Sequence, residues 1–150
     1  VPLHPAMNKL LLSLLLACIA TVAGCGDREQ YTAHRAERSK PKMEVGANMV
    51  SVRRAPYPNL DILPDGRLRV DDIEIPLDDG QRELLRTSFV KLQILRQNTL
   101  TESSAPADAS GRTLPLDVPA GQTPFPPDLA ERIPEFKQYS EALANPRALR

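Results

Sequence analysis

The sequence predicts an α+β fold: a small three-stranded β-meander followed by an amphipathic helix, with a C-terminal helix and long irregular Pro-rich flanks. Three observations carry that reading. Residues 60–77 hold short alternating runs broken by turn residues, and residues 81–95 repeat leucine at helical spacing. The chain also has 15 Pro, no Trp and 4% aromatics. Aromatic side chains supply much of the buried area that offsets conformational entropy. Only part of the chain is therefore expected to fold tightly.

The first strand is Leu60-Asp61-Ile62-Leu63, followed by the turn Pro64-Asp65-Gly66 and the strand Leu68-Arg69-Val70. Proline presets one turn dihedral there and glycine accepts positive φ. Asp71-Asp72 gives a second turn, and Ile73-Glu74-Ile75 a third strand that Pro76 ends by removing a donor. Asp78 is placed to cap a helix, with Gln81 three residues on completing a capping box and Asp79 favouring the positive end of the dipole. On the helical wheel Leu84, Leu85, Phe89, Leu92 and Leu95 fall within roughly 140°, a stripe wide enough to cover a small sheet. Val90 and Ile94 lie off it, and with Phe125 they form the candidate interaction face.

Residues 101–127 read as a linker rich in Pro, Ala and Ser, because Pro106, Pro115, Pro119, Pro124, Pro126 and Pro127 deny it backbone donors. Within it, Pro124-Phe125-Pro126-Pro127 has the form of a short extended docking peptide, or of a segment that packs Phe125 on its own domain. Residues 128–150 are expected to be the C-terminal helix and tail, with Asn145-Pro146 as the stop and Pro134 restarting the helix, so that residues 135–144 are its firmest part. The unit at 60–100 is small enough to be marginal alone, which favours a partner or a dimer.

The N-terminal segment carries the strongest address. Met7-Asn8-Lys9 is a short basic start, Leu10 to Val22 an apolar run of about a dozen residues, and Ala23-Gly24 a pair of small residues before Cys25. A spanning helix needs roughly twenty apolar residues. Val22-Ala23-Gly24-Cys25 resembles the lipobox of bacterial lipoproteins, which implies cleavage between Gly24 and Cys25 and acylation of the Cys25 sulfur by palmitate-class chains. Residues 1–24 are then a signal peptide, with 1–6 a gene-start artefact in which Val1 is an upstream GTG start codon read as valine. Residues 25–59, polar and mixed in charge, become a lipidated flexible tether. Cys18 leaves with the signal, so Cys25 remains alone and a structural disulfide is excluded. Two acyl chains satisfy the requirement for stable anchoring in membrane lipid. In the lipoproteins this segment resembles, Asp directly after the cysteine retains the protein in the inner membrane. Gly26 holds that place here, so the expected location is the outer membrane, facing the periplasm.

Charge and motifs bound the chemistry. The chain has 19 basic and 19 acidic side chains, and loss of Lys9 with the signal leaves it near neutral. That balance argues against a nucleic-acid partner. Asp71-Asp72 and Asp78-Asp79 are neighbours that do not face one another across a substrate, and turn and cap roles explain them. His34 lies in the expected tether, where no second shell holds it for catalysis or for a metal. GxSxG, HExxH and phosphate-cradling glycine loops are all missing from the sequence. No catalytic residue, metal or cofactor is assigned, and the chain is not expected to be an enzyme.

The run from Leu68 to Leu77, with Gln81-Arg82-Glu83-Leu84-Leu85-Arg86, resembles a proteobacterial family of uncharacterised YggN-like periplasmic proteins. The resemblance covers about residues 60–97. It implies a strand-turn-strand-helix unit in a Gram-negative envelope and carries no catalytic residue. The expected function is a membrane-anchored, non-catalytic binding or assembly accessory with a periplasmic protein partner. The alternative is an inhibitor or immunity lipoprotein that blocks a wall- or membrane-attacking enzyme.

Overall fold

In the computed structural model the described residues are 40–150. The expected signal segment, Gly24, Cys25, His34 and the first part of the expected tether lie outside them. The chain is α+β, but its sheet has seven strands in the order β5-β4-β3-β2-β1-β7-β6 rather than three. These are β1 (Lys42–Val45), β2 (Val50–Arg53), β3 (Leu60–Ile62), β4 (Leu68–Val70), β5 (Ile73–Glu74), β6 (Thr113–Pro115) and β7 (Pro146–Leu149). The helices are α1 (Asp79–Glu102), α2 (Leu129–Arg132) and α3 (Ser140–Leu143), with a 3-10 turn at Pro134–Phe136.

The expected meander is present as β3, β4 and β5, antiparallel in sequence order. Its last turn puts Asp71 at φ 46° and Asp72 at φ 68°, the doubly left-handed geometry that suits the sheet's twist. The Asp71 carboxylate accepts the Asn59 N–H at 2.8 Å, which holds a non-glycine residue in that turn. At the preceding turn glycine is required: Gly66 has φ +88°, and a Cβ there would sit 2.1 Å from the Arg82 carbonyl oxygen.

Two strands occupy the stretch expected to be tether. Lys42-Met43-Glu44-Val45 and Val50-Ser51-Val52-Arg53 alternate with period two around a Gly46 turn, and Met43, Val45, Val50 and Val52 are all buried. Their charged residues point to the opposite face, so mean polarity concealed the alternation. A third correction concerns the C-terminus. Ile133 stands before Pro134, and the proline ring drives it to φ −129°, ψ 91°, out of the helical region. The expected single helix is therefore broken into α2, the 3-10 turn and α3. The expected tail is β7, with Pro146 as its first residue, a position where a missing donor is tolerated. Likewise β6 lies within the expected linker, bonded to β7.

β7 runs parallel to β1, the one parallel pair among the described residues, and antiparallel to β6. Asn145 fixes that closure: its carbonyl accepts the Met43 N–H at 3.1 Å and its side-chain amide donates to the Pro41 carbonyl at 2.9 Å. Register places Met43, Val45, Val50, Val52, Leu60, Ile62, Leu68 and Ala148 on one face. That face forms the core with the α1 stripe and with Leu129, Ile133, Phe136 and Ala142. The opposite face is polar. Across it run Glu74, Arg69, Asp61, Ser51, Glu44 and Arg147, mostly with opposite charges on neighbouring strands. Asp61, only 3% exposed, is held by the Arg53 guanidinium at 3.0 Å.

Candidate functional site

α1 forms where the sequence places it. Asp78 Oδ1 accepts the Gln81 N–H at 2.7 Å, and Gln81 Oε1 accepts the Asp78 N–H at 3.0 Å. Both halves of the capping box are closed, and each satisfies a donor that the helix end would leave open. Leu84, Leu85, Phe89, Leu92 and Leu95 are buried. Val90 and Ile94 project from the opposite side and are 53% and 57% exposed. The off-stripe pair thus stands in solvent, one turn apart on a single helix face.

Phe125 is placed differently. It is half-buried, packs against the core, and sits with its ring centroid 6.2 Å from that of Phe136. The strap that carries it runs beside α1. Ile94, Lys91 and Leu95 flank a dent with Gly121–Pro124, while Phe125 lines a larger cleft, and Thr123 and Pro124 line both. Ile94 on α1 and Phe125 on the strap thus line different depressions, with Ile94 exposed and Phe125 half-buried.

No motif in the sequence marks the cleft. It has a volume of about 740 Å³, with Met43, Leu116, Leu129 and Phe136 as its buried floor and Pro124–Pro127 as one wall. Val118, Ala130 and Leu143 are half-buried on its lining, and Asp117, Thr123, Lys137 and Ser140 are its exposed polar residues. These positions come from separated segments, each too short to announce a pocket. The signal present in the sequence is the spacing of Leu114, Leu116 and Val118 among prolines, apolar residues that a free linker would not need.

Elsewhere the polar clusters are structural. The Asp108 carboxylate accepts from the Ser110 and Thr113 hydroxyls at 2.8 and 2.9 Å and from the Arg112 N–H at 3.0 Å. Partial burial pushes its carboxyl up, but the bonds from Ser110, Thr113 and the Arg112 and Thr113 backbone outweigh that and hold it well below the usual carboxylate range. This shapes the loop before β6. Tyr139 donates to the Pro58 carbonyl and meets Tyr57 edge-on at 6.3 Å, with Arg54 4.8 Å above the Tyr57 ring. Burial raises the Tyr139 hydroxyl above its ordinary value. The cluster ties the β2–β3 connection to the C-terminal segment, and Arg54 adds a bond to the Gln138 carbonyl.

Among the described residues no group of three or more His, Cys, Asp or Glu side chains is placed to hold a metal ion. Nor is any described helix long and apolar enough to cross a membrane. No family model matches the chain, and neither a curated protein nor a solved structure matches it.

Proposed function

We propose that the chain is a lipid-anchored envelope protein, acylated at Cys25, that works as a non-catalytic binding or assembly accessory at the outer membrane, facing the periplasm. The observation that carries this reading is the apolar run ending in Val22-Ala23-Gly24-Cys25. A basic start, a run too short to span and small residues before cysteine each answer a separate requirement of lipoprotein processing. The apolar pair Val90 and Ile94, exposed on α1, supports the binding role, since a protein partner would cover that area at little polar cost.

Labelling with radioactive palmitate followed by membrane fractionation tests the proposal. Wild-type protein is expected to take up label and sediment with outer-membrane markers, while Cys25→Ser takes up none and leaves that fraction. Unlabelled wild-type protein in the soluble periplasm would end the anchoring claim. Co-sedimentation with inner-membrane markers would end the sorting claim alone.

A further inference from the structure

We infer that the cleft under the proline strap binds a long-chain fatty acid, a single alkyl chain with a carboxylate head. The inference does not depend on acylation of Cys25. The cleft's volume of about 740 Å³ lies within the roughly 300–1,000 Å³ typical of small-molecule sites.

The walls decide the body of the ligand. Pro124, Pro126 and Pro127 have no N–H to offer. Floor and flanks add mainly aliphatic and aromatic side chains, with Phe136 and Met43 each 1% exposed, and Thr123 puts one hydroxyl at the start of the proline wall. Polar groups along a ligand would be desolvated there without partners. An unbranched alkyl chain carries none, and it can follow a cleft bounded by an extended strap. That strap is lightly tied between its ends: within residues 117–127 the one backbone–backbone bond is that of the Gln122 N–H to the Pro119 carbonyl, while the Asp117 N–H donates to the Thr99 hydroxyl at 2.9 Å and the Pro126 carbonyl accepts the Leu129 N–H at 3.1 Å.

The rim decides the head. Lys137 is the only cationic residue on the lining, it is exposed, and it makes no ion pair among the described residues. Ser140 lines the same cleft and adds a hydroxyl. A lysine ammonium is a compact charge suited to a single carboxylate. Asp117, the one acidic residue of the lining, repels an anion and so leaves the Lys137 side as the place for the head.

The test is titration of the full-length chain carrying Cys25→Ser, so that no covalent acyl group competes. Dansyl-undecanoic acid is the fluorescent probe, and palmitate and palmityl alcohol are the competitors. One probe is expected per chain, displaced by palmitate. Ala130→Trp fills the cleft from α2 and is expected to weaken probe binding by about tenfold or more. Val118→Trp does the same from another part of the lining, and circular dichroism identifies the variant that keeps its fold. Lys137→Glu is expected to weaken palmitate by about fivefold while leaving palmityl alcohol within about twofold. Absence of saturable probe binding overturns the inference, as does binding that a folded tryptophan variant leaves intact. Equal loss of acid and alcohol in Lys137→Glu overturns the assignment of the head.

Discussion

Residues 60–102 and residues 103–150 contribute to the same core by different means. The first stretch is local: each of β3, β4 and β5 pairs with its neighbour in sequence, and α1 follows at once. The second is non-local. β7 finds its place beside β1 across a separation of about a hundred residues, with β6 outside it. A contact between sequence neighbours costs little loop entropy, whereas the β1–β7 pair closes nearly the whole described chain. The comparison teaches that the expected marginal unit at 60–100 is stabilised from outside, by strands on the far side of β2 and by the short helical segments of residues 129–143, which share its core.

The largest expected effect comes from removing the non-local part. Deletion of residues 145–150 takes β7 out of the sheet interior, strands β6 and exposes the Met43 and Val45 edge. The loss should approach the whole stability of a domain, about 5–15 kcal/mol, and the deleted chain should show no cooperative melt. If it retains a sharp transition, the local stretch folds alone and the comparison fails.

Next come paired truncations. Leu92→Ala, on a residue 0% exposed in the local stretch, is expected to cost about 2–5 kcal/mol, and Phe136→Ala, 1% exposed in the non-local one, about 3–5 kcal/mol. Urea unfolding should show one transition in both variants, shifted as a whole. Two steps in either would mean that the halves melt separately.

Smaller effects sharpen the local side. Asp72→Gly relieves a positive φ of 68°, partly offset by the greater freedom of glycine in the unfolded chain, and is expected to raise stability by less than about 1 kcal/mol. A decrease measured by the same urea method would mean that the aspartate holds more than its turn. Val90→Asp and Ile94→Asp, both on the exposed face, should stay within about 0.5 kcal/mol of wild type while weakening capture of any partner in envelope pull-downs. If they unfold as Leu92→Ala does, the face belongs to the core.

The same contrast explains what could be read in advance. Asp78 with Gln81, and the leucines at helical spacing, declare α1 because both signals lie within a few residues. β3 to β5 were legible from Pro64-Asp65-Gly66 and Asp71-Asp72. β1 and β2 carried a valid alternation at Met43, Val45, Val50 and Val52, but four-residue strands among charged neighbours resemble a solvated linker. Pro146 read as a helix stop, which is true locally; that it also begins an interior strand is decided by β1 and cannot be seen near Pro146. The cleft fared likewise. Met43, Leu116, Phe125, Phe136 and Lys137 meet only through the closure of β7 on β1, so no motif records them.

Hydrogen exchange resolved by segment measures that closure most directly. Interior strands exchange only when the cooperative unit opens, whereas a frayed terminus exchanges at once. The β7 amides at residues 147–149 are expected to be protected as strongly as those of β2 and β3, despite lying at the end of the described chain. Protection no greater than that of the strap at residues 117–127 would contradict a single seven-stranded sheet and leave residues 60–102 to stand alone.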